Sequence, residues 1–153
     1  MTSFPEILQH PAAFQVKRRR NEQAYVMDAH RRLRRLGVAC KWEAALLGRS
    51  VDLAFFHDGL INTVEFKLKD WRRGLEQARD HQLGADLAYI CIPGKRPPEE
   101  IIELAVDFGI GILLFRDDSE WPFTIAIPAK PSPTQWPVAR DRLLNLMHIP
   151  CHG

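Results

Sequence analysis

The sequence predicts a mixed α/β fold in which one β-sheet is flanked by helices. Short apolar segments with strand character alternate with segments whose apolar residues recur at helical spacing. Two of the later strand segments, residues 85–93 and 110–115, are apolar almost throughout, as is typical of sheet strands covered on both faces. The chain has 153 residues, 46% of them apolar and 26% charged, which is enough for one domain with its own core.

The first half of the chain predicts one helix and three strands. A helix is expected over Asn21 to Leu36, where apolar residues recur every three or four positions and a glycine follows. Strands are then expected within VACKWEAALL (residues 38–47), SVDLAFF (residues 50–56) and INTVEFKLK (residues 61–69).

The second half of the core predicts helices and strands in alternation. Asp70 is a candidate N-cap for a helix over Trp71 to Leu83, and a strand follows in residues 85–93. A helix in residues 97–109 and a strand in residues 110–115 complete a core of about residues 21–116. This is an αβββαβ order plus an extra helix and strand. Residues 117–153 predict an edge strand, a proline-rich linker and a short amphipathic helix within the same domain.

Several classes of protein are excluded by the composition. No apolar run approaches the ~18 residues that span a bilayer, and the N-terminal residues do not resemble a secretory signal, so a cytoplasmic protein without membrane contact is expected. The cysteines, Cys40, Cys91 and Cys151, lack the spacing of a disulfide framework or a zinc module. His148, Cys151 and His152 could bind a metal together, although a frayed terminus is the preferred interpretation.

Positive charge is concentrated near the first helix. The net charge of the chain is only +2, yet eight basic residues and two acids lie between residues 17 and 35. The basic residues are Lys17, Arg18, Arg19, Arg20, Arg31, Arg32, Arg34 and Arg35. Such a patch on an otherwise acidic chain is typical of a protein that binds a phosphate backbone. A solvated helix face is the alternative.

The sequence Asp58-Gly59 predicts the register of a β-hairpin. A two-residue type I′ turn at these positions pairs His57 with Leu60 and places Asp52 opposite Glu65. Lys67 then lies on the same face as the two acids. The other face is apolar except at Asn62, and it collects Val51, Leu53, Phe55, Val64, Phe66 and Leu68.

The facing acids predict a cation site. Like charges opposite one another in an antiparallel pair are destabilising unless something compensates them. Magnesium commonly binds one or two protein carboxylates and leaves its other positions to water and phosphate. Lys67 is placed to hold a water or to stabilise a phosphate charge. The alternatives are a wet polar face neutralised by Lys67 and Lys69, or a slipped turn that separates the acids.

Asp52, the run Glu65-Phe66-Lys67 and the order of elements over about residues 21–115 resemble the PD-(D/E)XK nuclease superfamily, which has the restriction-endonuclease-like fold. The resemblance implies that Asp52, Glu65 and the Phe66 carbonyl bind a metal ion while Lys67 assists the attacking water. The sequence departs from the family motif at Val51, where the motif has proline.

The resemblance also extends to residues outside this motif. Glu22 matches an acid that some members contribute from the first helix, and Gln77 with His81 resembles a Gln-x-x-x-Tyr/His pattern on the following helix. The plainer interpretations are a helix-start acid for Glu22 and surface positions for Gln77 and His81. Three further residues are expected to be structural, namely Trp42 and Trp71 as core or rim aromatics and Glu43 as an exposed strand residue.

The expected function is therefore a nuclease that hydrolyses phosphodiester bonds with Mg²⁺, for which Mn²⁺ substitutes. The expected substrate is nucleic acid, DNA rather than RNA, and a homodimer or a larger complex is compatible with the sequence. The residues expected to grip the backbone are Lys17, Arg18, Arg19, Arg20, Arg31, Arg32 and Arg35. The alternatives are a non-catalytic nucleic-acid-binding or assembly module and an unrelated protein with an accidental salt-bridge network.

Overall fold

The computed structural model describes residues 15–150 and shows an α/β fold, as predicted. The described part contains four helices and six strands in one mixed sheet. In chain order they are α1 (Glu22–Arg35), β1 (Cys40–Leu46), β2 (Arg49–His57), β3 (Leu60–Phe66), α2 (Trp71–His81), β4 (Leu87–Cys91), α3 (Glu99–Phe108), β5 (Gly111–Phe115), β6 (Phe123–Ile127) and α4 (Pro137–Leu146).

The strands are neighbours in the sheet in the same order as in the sequence, from β1 to β6. The first three form an antiparallel meander, because short turns join them. Strands β3, β4 and β5 are parallel and are connected through α2 and α3, and β6 returns antiparallel to β5 as an edge strand. The central parallel strands are covered on both faces, which explains their continuous apolar sequences.

Helix α1 covers one face of the sheet, and α2, α3 and α4 cover the other. The α1 residues Tyr25 and Leu33 pack in a cluster with Leu53 and Phe66 of the sheet. Residues on the opposite face form two clusters, one beneath α2 and α3 and one beneath α4. None of the helices in the described range 15–150 is long and apolar enough to cross a membrane.

The predicted hairpin register is confirmed over five residue pairs. Asp58 and Gly59 both have positive φ, +53° and +77°, as a type I′ turn requires. His57 pairs with Leu60, and the pairing continues to Leu53 with Val64. The local turn chemistry therefore fixed the alignment of the two strands.

One local prediction is confirmed in position only, and one is wrong. Asp70 occupies the N-cap position of α2, but its backbone is left-handed (φ +57°) and its side chain makes no capping hydrogen bond. The usual extended N-cap conformation is needed to aim the side chain at the helix N–H groups. Val51 packs with Ala54 and the α4 side of the sheet instead of with Leu53 and Phe55, because the sheet is distorted beside it.

The C-terminal segment is fastened to the sheet by Asp86. Its carboxylate accepts hydrogen bonds from the Ile61 N–H at 2.7 Å, the Gln135 amide at 2.7 Å and the Arg140 guanidinium at 3.0 and 3.1 Å. These bonds hold the linker and α4 against the strands, as the sequence led us to expect of a tail that packs on the core. Of the possible tail metal ligands, Cys151 and His152 lie outside the described residues.

Candidate active site

Strands β2 and β3 separate at Asp52. Their regular pairing ends at Leu53 and Val64. At the next bonding position the Phe66 N–H donates to Oδ2 of the Asp52 side chain, at 2.9 Å. The ladder between β1 and β2 is also interrupted here, because it passes from Trp42–Leu53 to Ala44–Val51 and leaves out Glu43 and Asp52. The sheet therefore opens around Asp52.

Glu43 marks the same distortion on the neighbouring strand. Its φ is +48°, a left-handed conformation that is uncommon for a residue with a side chain. Such backbone strain persists where the surrounding structure imposes it, often next to a functional site. Because of this irregularity, the Val51 side chain faces α4. The gap between β2 and β3 becomes a recess.

A cavity of about 280 Å³ occupies this recess between α1 and α2. Five of the residues that the sequence singled out, Glu22, Asp52, Glu65, Lys67 and Gln77, line it together. The other residues in its wall are Gln23, Val26, Trp42 and Glu43. Residues that lie up to 55 positions apart in the sequence, from Glu22 to Gln77, are thus brought to one place.

Asp52 and Glu65 form a closely coupled pair of carboxyl groups. Burial, together with the negative charge of Asp52, raises the pKa of Glu65 to about 8 against the opposing effect of Lys67. Burial also raises the pKa of Asp52, although the hydrogen bond from the Phe66 N–H opposes the shift. Glu65 is only 3% exposed. Without a cation, the pair therefore retains a proton near neutral pH.

Lys67 is held beside these acids by backbone and packing. Its Nζ lies 3.8 Å from Glu65 Oε1, and its N–H donates to the Cys91 carbonyl at 3.0 Å, extending the pairing with β4. The side chain passes over Gly74 of α2, where a Cβ would lie 2.7 Å from Lys67 Cγ and 2.8 Å from Ile90 Cδ1. Gly74 therefore makes room for the lysine.

The role of Gly74 was not predicted from the sequence. A glycine inside a helix lowers the stability of the helix by about 1 kcal/mol relative to alanine. The presence of such a glycine was the one feature of the sequence that could have indicated a packing or functional role at this position.

Glu22 reaches the site from the first turn of α1. Asn21 caps this helix by accepting the Ala24 N–H at 3.0 Å, and Glu22 Oε2 accepts the Leu68 N–H at 2.8 Å. The Glu22 carboxylate thus fixes the backbone just after β3. The second oxygen of this carboxylate remains available to another partner. Phe66 contributes backbone only, since its side chain is fully buried in the core on the α1 side.

Gln77 and His81 take different positions. Gln77 lines the cavity, whereas His81 lies behind Glu65 and is 2% exposed. His81 Nε2 is 3.2 Å from the Ser50 carbonyl oxygen and Nδ1 is 4.0 Å from Glu65 Oε2. Burial lowers the pKa of His81 to about 4, so the ring is neutral and donates to Ser50 from Nε2. The surface interpretation of His81 is wrong.

Two of the arginines expected to bind nucleic acid make hydrogen bonds within the protein. Arg32 is 7% exposed and donates to the Ser119 carbonyl oxygen, and Arg19 donates to Asp28 at 2.6 Å and to Asp117. These side chains tie α1 to the turn between β5 and β6. The sequence did not indicate these bonds, because Asp117, which pairs with Arg19, lies 98 positions away in the chain.

The remaining basic residues of this region are at the surface. Arg31 is exposed and bonded to Asp28 at 3.0 Å. The other exposed members are Lys17, Arg18, Arg20, Arg34 and Arg35.

The donor set of the cavity fits a hard divalent cation. Four carboxyl groups and one ammonium line it, and the buried atoms Glu65 Oε2 and Gln77 Oε1 have no hydrogen-bond partner among the described residues. Within residues 15–150, no group of three or more His, Cys, Asp or Glu side chains is arranged so that it could hold a metal ion by itself. Magnesium suits such an incomplete set, because it keeps water and substrate phosphate as ligands.

The cavity thus combines paired carboxyl groups, a lysine and an amide in a recess that opens to solvent. This combination can bind a cation, orient a water molecule and compensate negative charge on a phosphate. No protein-family model, curated protein or solved structure matches the chain, so the chemistry of the cavity residues is the basis on which a function is assigned.

Proposed function

We propose that this protein is a Mg²⁺-dependent nuclease of the PD-(D/E)XK type, with a restriction-endonuclease-like fold. The observation that carries the proposal is the shared cavity, which is lined by Asp52, Glu65 and Lys67 at the point where β2 and β3 separate. The buried Oε1 of Gln77 on the cavity wall supports a bound polar ligand at this point, because a buried polar atom without a partner is costly.

In this proposal the two acids bind the cation and Lys67 acts on the water and the phosphate. Bound Mg²⁺ would polarise the phosphate and lower the pKa of a coordinated water. Asp52 and Glu65 supply the negative charge that holds the ion, with the Phe66 carbonyl and the free oxygen of Glu22 as further candidate ligands. Mn²⁺ offers the same hard-oxygen preference and is expected to substitute.

Lys67 and Gln77 are the further catalytic residues in this proposal. The Lys67 ammonium, kept 3.8 Å from Glu65, is positioned to donate a hydrogen bond to the attacking water and to offset charge that develops on the phosphate oxygens. Gln77 has an amide on the cavity wall whose Oε1 lacks a partner among residues 15–150, so it can orient the same water. DNA is the expected substrate, and the cytoplasm the expected compartment.

The proposal is tested by incubating the protein with plasmid, linear and single-stranded DNA and with RNA. Each substrate is tested with Mg²⁺ and with chelator, and Lys67→Ala and Glu65→Gln are compared with Lys69→Ala, an exposed lysine two positions further along. Cleavage is expected only with the metal, and only for the wild type and Lys69→Ala. Cleavage that persists in chelator or in Lys67→Ala would reject the proposal. Binding of nucleic acid without cleavage would favour the non-catalytic module.

A further inference from the structure

Strand β1 reverses the faces of its side chains at Glu43. Residues two positions apart in a regular strand point to the same side of the sheet. Trp42 and Ala44 depart from this rule, because Trp42 packs in the cluster on the α1 side and Ala44 is buried in the cluster beneath α4. The residue between them is Glu43, whose left-handed backbone (φ +48°) produces the reversal.

Strand β2 makes the same reversal at Asp52. Leu53 packs on the α1 side of the sheet, whereas Val51 packs beneath α4. The pairing of β1 with β2 keeps one register before and after the reversal, so Glu43 lies opposite Asp52 on the neighbouring strand. Both side chains line the cavity. The paired reversal therefore directs two acids from adjacent strands to one place.

The conformation of Glu43 has no explanation in the contacts of its own side chain. Glycine and asparagine adopt a left-handed backbone more readily than glutamate does. Within residues 15–150, the exposed Glu43 carboxylate makes no hydrogen bond or ion pair. Backbone strain beside a candidate site is typical of a functional requirement for the residue that carries it.

A second observation in the same cavity indicates a ligand. The Oε1 atom of Gln77 is buried on the cavity wall and has no hydrogen-bond partner within the described range. Four carboxyl groups face one ammonium there, yet no three acids of residues 15–150 are arranged to hold an ion by themselves. An ion in such a site keeps water ligands, and their hydrogen atoms need acceptors on the surrounding wall.

We propose that Glu43 is a positioning residue of the cation site, whose carboxylate accepts hydrogen bonds from the water ligands of Mg²⁺ and does not contact the ion. This inference deepens the proposed nuclease function and rests on the cation site of that function. Asp52 and Glu65 bind the ion in that function, and Glu43 holds its water from the neighbouring strand. The left-handed backbone is the conformation that directs the carboxylate of Glu43 into the cavity.

The charge of Glu43 is tested by measuring Mg²⁺ binding with titration calorimetry. Glu43→Gln keeps the length of the side chain and should weaken Mg²⁺ binding about tenfold, the lower end of the effect of removing a partner of a metal ligand. Asp58→Asn is the matched control, because Asp58 is an exposed acid with a left-handed backbone (φ +53°) outside the cavity wall. Unchanged affinity in Glu43→Gln, or an equal loss in Asp58→Asn, would overturn the inference.

Glu43→Gly separates the carboxylate from the backbone. Glycine adopts φ +48° without the steric cost of a Cβ, so the unfolding temperature in chelator should not fall. The affinity for Mg²⁺ should still fall about tenfold, because the carboxylate is absent. If Glu43→Gly bound Mg²⁺ as tightly as the wild type, the backbone alone would matter and the inference would be overturned.

Cleavage separates this inference from the proposed function. In Glu43→Gln, full cleavage should return at about tenfold higher Mg²⁺, because Asp52, Glu65 and Lys67 remain in place. Loss of Mg²⁺ binding in Asp52→Asn and Glu65→Gln but not in Glu43→Gln overturns the inference and leaves the nuclease standing. Mg²⁺ binding that depends on Glu43, without cleavage of any nucleic acid, supports the inference and overturns the nuclease. A wild-type protein that does not bind Mg²⁺ overturns both.

Discussion

The Asp52 carboxylate replaces a strand carbonyl as the hydrogen-bond partner of Phe66. Oδ2 of Asp52 accepts the Phe66 N–H at 2.9 Å, beyond the last regular pair of β2 and β3. One side chain therefore both satisfies the backbone of the opened sheet and supplies charge to the cavity. The structural and the chemical contribution can be separated by substitution.

Asp52→Asn is expected to retain stability and lose metal binding. An asparagine oxygen can still accept the Phe66 N–H, but it lacks the charge that a cation requires. Asp52→Ala leaves this buried N–H without a partner and should lower the free energy of unfolding by about 1–3 kcal/mol. Urea denaturation in chelator measures the difference. Equal stability of the two variants would show that the hydrogen bond does not support the open sheet.

Glu65→Gln should change how stability depends on pH. The pKa of Glu65 is raised from 4.5 to about 8 in the folded protein, so folding favours the protonated form. The stability that this proton provides is complete below pH 4.5 and is lost as the pH rises through 8. In chelator, Glu65→Gln should therefore match the wild type at acid pH and exceed it by several kcal/mol at alkaline pH, where only the wild type loses the proton.

Thermal unfolding across this pH range is the measurement, with Glu103→Gln on the exposed side of α3 as the control. Adding Mg²⁺ should raise the unfolding temperature of the wild type more at alkaline than at acid pH, since the ion competes with the proton. The same pH profile in Glu65→Gln and the wild type would contradict the prediction.

Gly74→Ala is expected to impair catalysis through Lys67. Alanine in a helix ordinarily stabilises by about 1 kcal/mol relative to glycine, but here its Cβ would lie 2.7 Å from Lys67 Cγ. The lysine must shift, so we expect the maximal cleavage rate to fall about tenfold while nucleic-acid affinity changes little. Single-turnover kinetics measure both quantities. Glu76→Ala, an exposed change on α2, is the control, and equal rates for the two variants would exclude the packing role.

Arg32→Ala should lower the stability of the protein, whereas Arg35→Ala should leave it nearly unchanged. Arg32 is buried and bonded to the Ser119 carbonyl, so its loss should reduce the free energy of unfolding by about 1–3 kcal/mol. Arg35 is exposed on the last turn of α1, and its loss should leave stability within about 0.5 kcal/mol. Denaturation and salt-dependent binding are the two measurements. A larger loss of stability in Arg35→Ala would reverse the assignment.

The local sequence determined the helices, the strands and the register in which β2 pairs with β3. Periodicity located α1 to within one residue at each end, and the Asp58-Gly59 turn set the pairing of β2 with β3. These features depend on residues close together in the chain, whose conformational preferences act directly. The same alignment, extended to Asp52 and Glu65, predicted the acids that now line one cavity.

Only the tertiary structure decided how the site is enclosed and which charges are free. Three features of the site depend on contacts between distant segments. They are the left-handed backbone of Glu43, the space that Gly74 leaves for the Lys67 side chain, and the hydrogen bonds that Arg19 and Arg32 make within the protein. In the sequence, a buried arginine and an exposed one are the same letter. Burial and hydrogen bonding depend on the completed packing, and no local preference specifies them.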